Sequence, residues 1–145
     1  MFWSVLMIIA TLAIDFISAG QDNVIIIQEG PQSLLIPSGH VATFSCKSCC
    51  THCVGHWVIN GIPAQEDRRG RTELESMGFT FDPEDYLVES NQQCHVMVVK
   101  INVSESVNAS SIRCDYCTTP DQLIGEALVC RQSNNATLLV TSSKY

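Results

Sequence analysis

Apolar residues in this chain recur mostly with a period of two, in short runs separated by turn-forming residues. His40 to Cys46 alternates, with Ala42, Phe44 and Cys46 on one face and Val41, Thr43 and Ser45 on the other. That spacing is the mark of a half-buried strand. His56 to Asn60 places Trp57 and Ile59 together. Gln93 to Val103 aligns Met97, Val99, Ile101 and Val103, so Asn102 points away. Ser110 to Cys117 aligns Ile112, Cys114 and Tyr116. Shorter extended pieces are predicted at Asn23–Gln28, Ser33–Ile36, Phe79–Phe81, Tyr86–Val88 and Ala136–Val140, with a further short strand at Ala127-Leu128-Val129 inside the long connection from Thr118 to Asn135. Gly30-Pro31, Pro37-Ser38-Gly39 and Asn60-Gly61 are turn signals. Residues 64–93 are otherwise polar and irregular, and no segment carries a helical apolar stripe of useful length. Short strands at this spacing predict an all-β fold, an antiparallel sandwich.

The amino-terminal run breaks this pattern. MFWSVLMIIATLAI is continuously apolar, and the small residues Ser18, Ala19 and Gly20 follow it before polar Gln21-Asp22-Asn23. Residues 1–20 are therefore expected to be a cleaved secretory signal, leaving one domain over 21–145. No other apolar run approaches membrane length, and LLVTSSKY at the carboxyl end is not a lipid-anchor tail. The mature chain is expected to be secreted, with no stable membrane insertion.

An export signal changes the meaning of the cysteines. All eight lie after residue 20, and an even count in an exported chain predicts disulfides rather than free thiols. Cys46-x2-Cys49-Cys50-x2-Cys53, with His52 and His56 beside it, would suggest zinc in a reducing compartment. Here oxidation is expected instead, and neither a metal nor a cofactor is assigned. Three glycosylation acceptors fit an exported chain: Asn102-Val-Ser104, Asn108-Ala-Ser110 and Asn135-Ala-Thr137. The net charge of −7 argues against nucleic acid or anionic lipid as the principal partner. His40, His52, His56 and His95 form no recognisable catalytic set with a serine or an acid, and no glycine-rich phosphate cradle occurs, so no enzymatic activity is expected. Arg68-Arg69-Gly70-Arg71 is read as a solvated charged loop, with basic processing as the alternative.

SGHVATFSC (38–46), GHWVING (55–61), VVKINV (98–103), SSIRC (110–114) and ATLLV (136–140) together resemble the immunoglobulin superfamily, as a divergent variable-like or intermediate-set domain. The resemblance implies an immunoglobulin-like antiparallel β-sandwich in which Cys46 and Cys114 bridge the sheets and Trp57 packs on the bridge. Two departures stand out. Ile112 occupies the place of the corner tyrosine, with Asn108 the nearest match to the corner aspartate, so the corner hydrogen bond is expected to be absent or rebuilt. The last strand lacks the Gly-x-Gly bulge.

The same topology implies that Cys49, Cys50, Cys53, Cys94, Cys117 and Cys130 lie just beyond strand ends at one pole of the domain. A bridge needs Cα atoms within about 7 Å, and the shared pole meets that condition. Cys117–Cys130 is the favoured pairing. For the others, Cys49–Cys53 with Cys50–Cys94 is preferred, and a cross-loop Cys53–Cys117 bridge is the alternative. Arg113, Asp115, Tyr116, His56 and Val58 are expected to line or edge the adjoining sheet, with Tyr116 in the core by parity. The implied function is a non-catalytic binding module that recognises an extracellular protein or glycan through its stapled loops. Alternatives are a secreted disulfide-rich effector, toxin-like or inhibitory, and a truncated ectodomain of a larger adhesion or receptor protein.

Overall fold

A computed structural model describes residues 25–50, 52–65, 68–118 and 129–142. The expected leader and most of the long connection after Thr118, including Ala127 and Leu128, lie outside the described residues.

Two β-sheets face each other. In the first, β1 (Ile26–Glu29), β3 (Val41–Cys49) and β8 (Gln92–Asn102) lie side by side. Two short strands, β6 (Phe79–Phe81) and β7 (Asp85–Glu89), run in series along the far edge of β8. The second sheet has the order β2 (Leu34–Pro37), β11 (Ala136–Thr141), β9 (Ser110–Thr118), β4 (Cys53–Ile59) and β5 (Ile62–Pro63). In it β10 (Cys130–Gln132) continues along β9 beyond β11. Every pairing is antiparallel except β2 with β11.

The alternation read from the sequence sets which side chains meet between the sheets. Ala42, Phe44 and Cys46 of β3, Met97, Val99 and Ile101 of β8, Trp57 and Ile59 of β4, and Ile112, Cys114 and Tyr116 of β9 are all buried. Cys46 is bonded to Cys114 across the sheets with Cα atoms 6.5 Å apart. Trp57 stands opposite Cys114 in the β4–β9 ladder, on the same inward face. Asn60 and Gly61 both adopt positive φ (52° and 78°), which is the tight hairpin turn that an Asn-Gly pair favours.

The irregular stretch 64–93 holds a helix the periodicity did not announce, α1 (Arg69–Ser76). Only Leu74 of it is buried, so there is no apolar stripe to read, and an Arg71–Glu75 pair at 3.1 Å supports one face. The expected charged loop Arg68–Arg71 is thus corrected: Arg69, Gly70 and Arg71 form the first turn of α1.

The corner before β9 is rebuilt without a tyrosine. Ser110 Oγ donates to the Val107 carbonyl at 2.7 Å, and the Val140 N–H donates to Asn108 Oδ1 at 2.9 Å. Between β10 and β11 the chain leaves the ladder over 133–135. There the Ser133 N–H donates to the Cys114 carbonyl, and the Cys114 N–H to Ser133 Oγ, both at 2.9 Å.

Gly55, mid-strand in β4, is a position where a side chain has no room. A Cβ there would lie 2.6 Å from Cε1 of Tyr116 and 2.9 Å from Sδ of Met97. Tyr116 is fully buried and has nowhere to retreat. Gly55→Ala is expected to destabilise the domain by about 1–3 kcal/mol, measured by denaturant unfolding. A simple strand-propensity effect would have the opposite sign, so a stabilised variant would refute this packing.

Candidate functional site

Ladder register brings the six remaining cysteines to one pole. Cys49 stands directly opposite Cys94 at the end of the β3–β8 ladder, Cys117 opposite Cys130, and Val54 opposite Cys117. Five of the six lie within strand ends rather than beyond them, because β3 runs on through Cys49 and β4 begins at Cys53. Only Cys50 lies in the connection.

The bonds are Cys49–Cys94, Cys50–Cys53 and Cys117–Cys130. The Cys117–Cys130 pairing is the favoured one. The preferred Cys49–Cys53 with Cys50–Cys94 is replaced, and so is the cross-loop alternative. The cause is register. Cys49 and Cys94 are direct cross-strand neighbours with Cα atoms 4.0 Å apart, and this leaves Cys50 and Cys53 to pair across the short connection.

By loop closure, each bridge constrains the unfolded chain differently. Sequence separations are 68 for Cys46–Cys114, 45 for Cys49–Cys94, 13 for Cys117–Cys130 and 3 for Cys50–Cys53. The first two each correspond to about 4 kcal/mol, the third to about 3 and the last to about 2. The first loop encloses the second and the last, so these values do not add. Non-reducing peptide mapping of the oxidised chain is expected to recover these four linkages, and a Cys50–Cys94 peptide would refute the register.

The pole has an unusual interior. Below the Cys46–Cys114 bridge the core is apolar except for Ser110, whose hydroxyl bonds the Val107 carbonyl. Above it the inward positions are Ser48, His95 and Tyr116, with the Cys50–Cys53 pair beside them. His95 Nδ1 is 3.0 Å from Glu84 Oε1, and Tyr86 packs edge-on against the His95 ring with centroids 4.9 Å apart. His95 Nε2 and the Tyr116 hydroxyl are buried without a hydrogen-bond partner. Burial raises the Glu84 carboxyl above its usual value, with the neighbouring His95 pulling it back, and burial and the nearby Glu84 raise the Tyr116 phenol.

Glu84 and His95 were not singled out as a pair in the sequence. Parity carried the signal for His95, since it lies two residues before Met97 on the same face. Glu84 comes from the kink between β6 and β7, and no period in the sequence points to it.

Beside the pole, a cleft of about 470 Å³ opens between β4 and that kink, lined by Val54, Gly55, Trp57, Phe81, Glu84 and Met97. Arg71 of α1 stacks over the Phe81 ring at 5.1 Å.

On the outer face of β4 and β9, Arg113 Nε donates to Asp115 Oδ1 at 3.0 Å, and His56 Nε2 lies 4.0 Å from Asp115 Oδ2. Val58 and Asp115 lie in the β4–β9 ladder as expected, and both are buried. Val58 is flanked in the ladders by Arg113 and Pro63, and Asp115 is held by Arg113. Burial lowers the His56 pKa from its usual 6.5, Asp115 opposing the shift and Arg113 adding to it. The folded state therefore binds fewer protons at His56 than the unfolded chain, and stability falls as pH drops below about 6.5. His56→Gln is expected to flatten the stability profile between neutral pH and the folded pKa, measured by thermal unfolding across pH. An unchanged acid slope would refute it.

The expected glycan acceptors lie away from this pole. Asn102 pairs with Val41 at the opposite end of the β3–β8 ladder from Cys49–Cys94, about 27 Å off at the rise of a strand. Asn108 is in the corner before β9, and Asn135 precedes β11 with its Oδ1 accepting from Ser111 Oγ at 3.5 Å. All three are exposed. Because Asn108 and Asn135 are held through their oxygens, the amide nitrogens to which a glycan would attach remain unengaged in these bonds. No helix among the described residues is long and apolar enough to cross a membrane.

No protein-family model matches the chain, and no curated protein matches it in sequence. Solved structures do match. Duf (Kirre) D1 aligns with a TM-score of 0.54 at 16% identity over 82% of this chain and 98% of that one. Rst D1-D2 aligns at 0.52 and 15% identity over 81% of this chain and 49% of that one. The N-terminal Ig1-2 module of the Drosophila receptor protein tyrosine phosphatase DLAR aligns at 0.49 and 16% identity, over 83% and 50%. The chain thus spans about half the length of the two-domain structures it matches. The fold is that of a single immunoglobulin-like domain.

Proposed function

We propose that the chain is a secreted, non-catalytic immunoglobulin-like binding module whose cysteine pole docks on an extracellular protein. One observation carries this reading: exposed apolar side chains gather where the bridges are, and the glycan acceptors lie elsewhere. Ile26, Val54, Tyr86, Leu87, Val88 and Val129 are the large apolar residues left exposed at that pole. Ladder register places them beside Cys49, Cys117, His95, Cys94, Gln93 and Thr118 respectively. They lie on both sheets at this end, and large apolar residues left exposed together at one pole are typical of an interaction site. Three bridges tie its strand ends together in advance, so less conformational freedom is lost there on docking.

The patch favours protein over glycan, because sugars offer mainly hydroxyls. A catalytic reading lacks support: among the described residues, His95 is bonded to Glu84 but to no nucleophilic hydroxyl or thiol.

The test uses the glycosylated chain, displayed multivalently against a panel of extracellular proteins and cell surfaces. Val54→Arg combined with Val88→Arg is expected to weaken the binding found by at least about tenfold, with thermal stability retained because both residues are exposed. Asn102→Gln is expected to leave binding unchanged. Binding lost with Asn102→Gln and kept in the double variant would overturn the assignment of the pole. Absence of any protein ligand across the panel would overturn the function.

A further inference from the structure

Cys50, Cys53 and His95 come from the β3–β4 connection, the first residue of β4 and the inner face of β8, and they converge at the buried end of the core. Both sulfurs and a ring nitrogen of His95 lie within 4.8 Å of one another. The three residues are 1%, 7% and 5% exposed. One imidazole nitrogen, Nδ1, is held by the Glu84 carboxylate at 3.0 Å, while Nε2 is buried with no partner. An imidazole oriented by a carboxylate on one nitrogen and open on the other is the arrangement of a metal-ligating histidine. A Cys-x-x-Cys pair is the commonest source of two thiolates for the same centre.

We infer that, in the reduced chain, Cys50, Cys53 and His95 Nε2 form a site for a thiophilic divalent cation of the zinc class, with Glu84 orienting the histidine. This goes beyond the binding reading and does not rest on it. The corner that a disulfide closes in the oxidised chain is then closed by a metal. A dithiol reductant cleaves the Cys50–Cys53 sulfur–sulfur bond by exchange and leaves as its own cyclic disulfide, giving two protein thiols. Binding the cation then releases one proton from each thiol. Two thiolates, a neutral imidazole and a dication make a centre of no net charge, which suits a buried position. Water takes the fourth place. Tetrahedral thiolate–imidazole geometry puts ligand atoms about 3.6–3.8 Å apart, so once the Cys50–Cys53 bond is cleaved the two sulfurs separate by about 1.7 Å, while the histidine nitrogen closes on them by about 1 Å at most.

The sequence placed His52 and His56 beside these cysteines; the fold supplies His95 instead. The other sulfur cluster, Cys49 and Cys94 with Glu89, is a poorer site. Its carboxylate is exposed and already paired with Lys47, and its bridge closes the longer loop.

Cobalt(II) is the probe, added to the full chain under native conditions with a dithiol reductant and then displaced by zinc. One cobalt per chain with a thiolate-to-metal charge-transfer band is expected in the reduced form and none in the oxidised form. Whichever bridges the reductant opens, the thiols that bound metal protects from alkylation must be Cys50 and Cys53. His95→Ala is expected to weaken cobalt binding by at least about tenfold, and Glu84→Gln by about 10–100-fold. If His95→Ala does not fold, Cys50→Ser combined with Cys53→Ser keeps the other three bridges and must lose the band. No cobalt band in the reduced chain overturns the site. So does undiminished binding in His95→Ala or the double serine variant, or protection of any other cysteine pair.

Discussion

The Cys46–Cys114 bridge joins the middle of β3 to the middle of β9 and sets the spacing of the two sheets there. On one side of it the inward residues are aliphatic and aromatic apart from Ser110, whose hydroxyl is satisfied by the Val107 carbonyl, and ordinary apolar burial holds the sheets together. On the other side the same alternation delivers a serine, a histidine and a tyrosine to the interior. Those groups cannot supply the same adhesion, and two of their polar atoms are buried without a partner, which costs about 1–3 kcal/mol each. Packing alone holds the upper end of the sandwich less firmly than the lower. Three further bridges sit at that end and none at the other. The concentration of sulfur is thus the covalent counterpart of a weak apolar core, a substitution common in small exported domains.

Much of this was readable from the chain because period-two alternation survives in β3, β4, β8 and β9, the four strands that carry the core. Phe44, Trp57, Val99 and Ile112 fall where parity puts them. The edges were harder. β7 was expected as an extended piece at Tyr86–Val88 and spans Asp85–Glu89, but it is exposed at every residue, so no alternation gave its face. Its position is set by pairing to β8 and by the turn at Ser90-Asn91, where φ is 48° and 61°. Helix α1 was invisible because it buries one leucine. Both elements lie against sequence neighbours, β7 on β8 and α1 beside β5 and β6, but they bury too little to leave a periodic apolar signal.

The site was legible in outline and not in detail. That six cysteines share a pole follows from strand order. Which cysteine meets which follows from register, and a slip of one residue turns every side chain to the other face. Cys49 and Cys94 point outward by parity and meet in the ladder, flanked in register by Ile26 and Leu87. Cys50, one residue on, leaves the ladder and joins Cys53. No count of cysteine spacings distinguishes this from the rejected pairing, whereas one ladder contact does.

Stapling the pole has a consequence for its surface. Loops that must bury their own apolar side chains to stay ordered cannot also present them. Here order comes from bonds, so Val54, Tyr86 and Val88 are free to face solvent without the pole losing its shape. An exposed apolar strand at a sheet edge ordinarily invites unspecific pairing. β7 limits that risk by being short and by carrying Asp85 and Glu89 at its ends. In antiparallel self-pairing centred on Leu87, Asp85 of one copy would lie opposite Glu89 of the other, and the like charges repel. A short, apolar edge with an acid at each end thus discourages pairing with its own copy.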